Sequence, residues 1–274
     1  MAVPGNQGIS FPSVLDSAYR EYKRHRKVAD VMNRDVITTT AETSMADAAQ
    51  VMGERRIGSL IVVKYGTPVA IVTERDLFSK VLARDLDLTQ TPVEQVMSYP
   101  LITICPDLEI REAARTMIRR KGRLAVFTCG DLAGIITASD LIREMPDAPE
   151  TSLVVDDFMT RDVICLGEDE TVLEAARIMG KKRIGSVIVT RGGKPYGIFT
   201  ERDLLSGFLA RKMPLDAPVG MATSSRLITA HVGISIHEAA QTMAAQHIRR
   251  LPLMKKKTLA GVITARDLVE AYAR

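Results

Sequence analysis

The chain has 274 residues, 46% of them hydrophobic, which is enough to bury the core of one large domain or two of ordinary size. That content excludes a disordered or fibrous protein, and no apolar run approaches the roughly 18 residues of a membrane span. A net charge of +4 suits phosphate-bearing partners but does not demand nucleic acid.

The opening residues, MAVPGNQGISFPS, lack the charged-then-apolar layout of a signal peptide. Cys105, Cys129 and Cys165 are odd in number and share no metal-type spacing, so the expectation is reduced thiols in a cytoplasmic protein. Asp16 to Lys27 reads as a basic helix, solvated on one face, with Tyr19 and Tyr22 packing on the first repeated unit of the chain. Its clustered charge leaves an anionic or nucleic-acid contact as the alternative. His25, His231, His237 and His247 show no pairing that suggests zinc.

From residue 27 onward the chain repeats. Thr-x-x-Asp occurs four times: Thr73–Asp76, Thr137–Asp140, Thr200–Asp203 and Thr264–Asp267. The threonines are 64, 63 and 64 residues apart. An acid-Ala-Ala element precedes each, at Asp47, Glu112, Glu174 and Glu238, and a methionine follows each acid at Met52, Met117, Met179 and Met243. Copies one and three share Arg-Ile-Gly-Ser (Arg56–Ser59, Arg183–Ser186) and Thr-Glu-Arg-Asp, whereas copies two and four share Arg-Leu (Arg123, Arg250). The order is A-B-A′-B′, and the proline-containing stretch Met145–Ser152 is a boundary between halves.

Each copy predicts the same elements in order. A short β-branched strand comes first, then a helix opened by Ser44, Glu109, Thr171 or Ser235, with alanine and methionine forming an apolar stripe. Two apolar strands come next, joined by a tight turn such as Tyr65–Pro68, and a second helix starts at Thr-x-x-Asp. A β-α-β-β-α unit of ~60 residues buries too little surface alone, so copies should pair face to face. The fold class expected is α/β, built of α+β repeats. The boundaries are a basic extension over 1–26, then units over 27–88, 89–148, 149–214 and 215–274.

A helix start offers free N–H groups and the positive dipole end, which suit a phosphate. A threonine there can give its hydroxyl to a phosphate oxygen, and an aspartate one turn on can accept the two hydrogen bonds of a ribose diol. The plainer reading is a helix cap, and the motif alone leaves both open.

The four units resemble cystathionine β-synthase (CBS) domains. The resemblance rests on Met-containing turns at Met32, Met97, Met159 and Met221 and on the endings Gly134-Ile-Ile-Thr, Gly197-Ile-Phe-Thr and Gly261-Val-Ile-Thr, and it covers about residues 27 to 274. Copy one departs, with Ala70 in place of the glycine. The resemblance implies two Bateman modules assembled into a disc, as in the γ subunit of AMP-activated protein kinase, with adenine nucleotides (AMP, ADP, ATP) as regulatory ligands and no obligatory cofactor. It assigns the ribose to Asp76, Asp140, Asp203 and Asp267, the hydroxyl role to Thr73, Thr137, Thr200 and Thr264, and the base to Ile37, Ile102, Ile164 and Ile228. Phosphate charge would come from Arg123, Arg249 and Arg250, while Ser59 and Ser186 could offer a hydroxyl or backbone contact but no charge, so the sites should be unequal. Arg75, Arg202 and Arg266 face phosphate or solvent.

No Gly-x-Ser-x-Gly, phosphate-loop or His-Glu-x-x-His signature appears, so an enzyme is not expected. The expected partners are a small adenine nucleotide, a regulated protein and a second copy of the chain, not nucleic acid or a membrane. S-adenosylmethionine, with the same diol and no phosphate, is the competing ligand. A ligand-free docking module and a nucleic-acid-linked regulator are the other classes.

Overall fold

The computed structural model describes residues 26–144, 152–223 and 227–274. The basic leading segment up to His25 and the boundary Met145 to Thr151 lie outside the described residues.

Each copy contributes one three-stranded sheet, and the four sheets are alike. Copy one has β1 (Thr38–Thr40), β2 (Ser59–Lys64) and β3 (Thr67–Thr73). Copy two has β4 (Thr103–Ile104), β5 (Leu124–Thr128) and β6 (Asp131–Ile136). Copy three has β7 (Cys165–Gly167), β8 (Ser186–Arg191) and β9 (Lys194–Thr200), and copy four β10 (Ala230–His231), β11 (Arg250–Lys255) and β12 (Thr258–Thr264). In every copy the first strand is parallel to the second, because a helix crosses between them. The second and third form a hairpin. Tyr65 and Gly66 both have positive φ, as the first hairpin's two-residue turn requires.

The helices start where their caps place them. Val28–Val31 is a single turn, α1. The crossing helices are α2 (Met45–Glu54), α4 (Ile110–Arg120), α6 (Val172–Lys182) and α9 (Ile236–Ala245). Ser44, Thr171 and Ser235 accept the N–H of Asp47, Glu174 and Glu238. Glu109, in the same place in copy two, makes no side-chain cap hydrogen bond. The helices after Thr-x-x-Asp are α3 (Glu74–Asp76), α5 (Ala138–Arg143), α7 (Glu201–Asp203) and α10 (Ala265–Ala273), with a short turn α8 (Val219–Ala222) before copy four. In copies one and three this helix widens into a π turn, Leu77–Val81 and Leu204–Leu209, where the sequence pattern predicted a plain α-helix.

That widening sits at a packing seam. Two large cores join like copies: one holds Met45, Met52 and Phe78 with Met179, Phe199 and Leu205. The other holds Ile110, Met117 and Leu141 with Met243, Leu253 and Leu268. The first seam is reciprocal, α2 lying on the Leu204–Leu209 turn and α6 on the Leu77–Val81 turn. A β-carbon on Gly53 would stand 2.8 Å from the carbonyl carbon of Leu205, and one on Gly180 2.7 Å from that of Phe78. Only glycine lets these backbones approach so closely. Copies one and two meet through a smaller cluster of sheet residues, Ile61, Ala125 and Ile135. Bridges Asn33 to Ile135 and Thr160 to Val262 lock the leading turn of each odd copy onto the last strand of the next. Met32 and Met159 are buried by this packing, whereas Met221 is 81% exposed. No described helix is long and apolar enough to cross a membrane.

Candidate functional site

The Thr-x-x-Asp strings all fold into the same local device. Thr73 Oγ1 and N–H donate to Asp76 Oδ2 at 2.6 and 2.9 Å. The matching pairs are 2.6 and 2.9 Å at Asp140, 2.7 and 2.8 Å at Asp203, and 2.7 and 2.7 Å at Asp267. Each aspartate is therefore the return arm of a capping box, and each threonine proton is aimed at its own aspartate. The plain cap reading holds in all four copies. It commits one carboxylate oxygen, Oδ2, and leaves Oδ1 outside the box.

What meets Oδ1 differs from copy to copy. Lys80 Nζ lies 2.7 Å from Asp76 Oδ1, with Ser98 Oγ at 3.4 Å. Arg143 pairs with Asp140. Burial pushes the Asp203 and Asp267 carboxyls above the ordinary 3.8, against the hydrogen bonds from their threonines, and Glu270 adds to the rise at Asp267.

Two cavities open between copies one and two, and both reach residues of copies three and four. The larger, about 770 Å³, brings Thr73 and Asp76 of copy one to Ile102 of copy two, with Arg123, Arg249 and Arg250 along its inner wall. The smaller, about 240 Å³, reverses the pairing and sets Ile37 and Ser59 of copy one against Thr137 and Asp140 of copy two. Each thus takes its isoleucine from one copy and a Thr-x-x-Asp pair from the other. Thr264 lines the larger cavity as well. Ser186, Thr200, Asp203, Asp267, Ile164 and Ile228 line neither, although they hold the equivalent places in copies three and four.

The three arginines converge from copies two and four on the first turns of copies one and three. Arg123 donates to Gly58 O and lies 3.4 Å from Glu74, while Arg249 crosses from copy four to reach Glu74 at 3.1 Å. Arg250 contacts Glu201 at 2.7 Å. Strand register explains the reach. Ser59, Ser186 and Arg250 stand opposite the threonines Thr73, Thr200 and Thr264, and Arg123 precedes Leu124 at the matching position. The residue before is Gly58, Gly122 or Gly185 in three copies and Arg249 in the fourth. A β-carbon on Gly58 would lie 2.6 Å from the Arg123 guanidinium, and one on Gly185 would collide with that of Arg250. The odd copies leave a hole that the even copies fill with charge.

Glu74 and Glu201, 5% and 3% exposed, are cavity-lining residues that the sequence analysis did not single out. Their signal was present: the residue after the threonine is glutamate in copies one and three but Ala138 and Ala265 in the others. Burial pushes the Glu74 carboxyl upward, but the charges of Arg249, Arg123 and Arg250 outweigh it and hold the group below 4.5. A depressed folded value means that Glu74 stabilises the fold above its ordinary value and that this is lost as pH falls through the folded one. Denaturant titrations below about pH 4.5 should therefore show a steeper loss of stability in the wild type than in Glu74→Gln. Parallel slopes would contradict the pairing.

A tandem array of paired α+β units with inter-copy clefts defines the class, and the comparisons agree. The CBS domain profile matches residues 28–83, 93–147, 155–210 and 219–274. The chain belongs to the CBS domain family. Protein MJ1404 of Methanocaldococcus jannaschii is 30% identical over 270 residues, covering 90% of this chain, which spans 62% of that relative's length. Protein MJ1225 of the same organism is 27% identical over 281 residues, covering 92% of this chain and 100% of the relative. Its crystal structure, described as that of a proposed archaeal homologue of g-AMPK, superposes with a TM-score of 0.74 at 24% identity, over 90% of this chain and 100% of that one. A conserved protein of Pyrococcus horikoshii superposes at 0.60 with 21% identity, covering 90% of this chain and 100% of its own.

Proposed function

We propose that the protein is a regulatory sensor that binds adenine nucleotides, AMP, ADP or ATP, in the clefts between paired CBS copies and performs no catalysis. One observation carries this reading. The 770 Å³ cleft gathers an aspartate whose Oδ1 is held by the side chains of Lys80 and Ser98, a half-buried isoleucine one residue before a strand, and three arginines. A ribose diol, a base edge and a phosphate are the groups that those three features suit. Arg75, Arg266 and the run Arg119–Lys121 line the same cavity, and this excess of cations favours a phosphate-bearing ligand over S-adenosylmethionine. The description of MJ1225 as a proposed g-AMPK homologue supports the same class of ligand.

A ligand touching both copies of a module favours one arrangement of them over another, and a regulated protein or a second copy of this chain reads the difference. Asp76→Ala is expected to weaken nucleotide binding by about ten- to a hundredfold, the loss of one or two charge-assisted hydrogen bonds. It should also cost about 1 kcal/mol of stability through the broken cap. Calorimetry on each of the four single aspartate variants checks this. Unchanged affinity in all four would remove the ribose assignment.

A further inference from the structure

The arginines expected to hold phosphate already hold an anion. Glu74 and Glu201 are almost fully buried, yet neither is needed to start its helix, because the Thr–Asp box is complete in copies two and four with alanine in that place. A guanidinium fork accepts a carboxylate and a phosphate with the same two-pronged geometry. Five further cations, Arg75, Arg119, Arg120, Lys121 and Arg266, line the cavity besides those that contact the two glutamates. The cleft therefore retains attraction for a larger anion even with both glutamates in place.

We propose that Glu74 is an internal counter-anion that occupies the phosphate end of the cleft, and that a ligand's phosphate binds by displacing it from Arg123 and Arg249. The identity of the ligand rests on the nucleotide reading above; the exchange of anions does not. The geometry has two consequences. Arg249 belongs to copy four and Glu74 to copy one, so the exchange takes a cation from a contact between modules and gives it to the ligand. Ligand binding and module arrangement are thereby linked. Glu74 also engages two arginines where Glu201 engages Arg250, because Arg249 stands where the other copies have glycine. Glu74 is therefore the stronger competitor.

The test titrates inorganic tripolyphosphate and adenosine into wild type, Glu74→Gln and Glu201→Gln by calorimetry. Glu74→Gln should bind tripolyphosphate about tenfold more tightly than wild type, Glu201→Gln should gain less, and adenosine affinity should not change. No gain for tripolyphosphate in Glu74→Gln overturns the proposal. An equal gain for adenosine also overturns it, since that reports a loosened cleft and not a freed charge. If Gln at this position does not fold, Glu74→Asp withdraws the carboxylate by one carbon and should give a smaller gain; none would again overturn it. Absence of nucleotide binding to wild type, together with the tripolyphosphate gain, would remove the nucleotide reading and leave the exchange standing.

Discussion

Gly180→Ala should lower the stability of the protein by about 3 kcal/mol, the upper range for an overpacked core. For a chain of this size that corresponds to a fall of about 6–12 °C in Tm. The new methyl would stand 2.7 Å from the carbonyl carbon of Phe78 and nearer to its oxygen. The obstacle is backbone, so no side-chain rotation relieves it. Phe78 lies in the π turn of copy one, and the carbonyl that presses on Gly180 is part of the seam between copies one and three. A small shift there would also disturb Met179, which is fully buried beside it. Gly207 supplies the control: a β-carbon on it meets nothing within 4 Å. Gly207→Ala should be neutral or stabilising by about 0.5–1 kcal/mol, since alanine restricts the unfolded chain more than glycine does. Thermal unfolding of both variants separates the effects, and a neutral Gly180→Ala would mean that the seam is not as tight as described.

Arg250→Ala has the second large effect. It strips the contacting guanidinium from Glu201, whose side chain is 4% exposed. A buried charge left without its partner costs about 3–5 kcal/mol, far more than an exposed ion pair is worth. The double variant Arg250→Ala, Glu201→Ala should recover most of that loss, because the stranded charge is gone. Denaturant titration of the two single variants and the double gives the coupling. A cost for Arg250→Ala within about 0.5 kcal/mol of wild type would place the arginine in solvent and remove it from the cleft wall.

The sequence carried the repeat, the caps and the strand order because those are local. Ser44, Thr171 and Ser235 sit one turn before acids that answer them, and the Tyr65–Gly66 turn is written in adjacent residues. The expectation that neighbouring copies pair face to face to complete a core holds only as a small sheet cluster between copies one and two. The larger contacts, which join copy one to three and two to four, were less legible, because they depend on residues more than a hundred positions apart. Their trace was the Met-Gly pair at Met52–Gly53 and Met179–Gly180, where copies two and four have Met117–Ile118 and Met243–Ala244. In the site, Arg123, Arg249 and Arg250 were picked out by residue type and by the resemblance to CBS domains. The groups that they contact, Glu74 and Glu201, were hidden inside a string read for its threonine, arginine and aspartate. The π turns left no sequence signal that propensity could register; they lie where α6 and α2 pack on them.

The most direct measurement is calorimetric titration of the charcoal-stripped protein with AMP, ADP, ATP and S-adenosylmethionine. A phosphate-reading sensor should bind the nucleotides at micromolar concentrations and S-adenosylmethionine more weakly, with affinity that falls as salt screens the arginines. Tighter binding of S-adenosylmethionine than of any nucleotide would contradict the phosphate assignment. Silence with all four would contradict the sensor itself and leave a CBS array that docks a protein without a ligand.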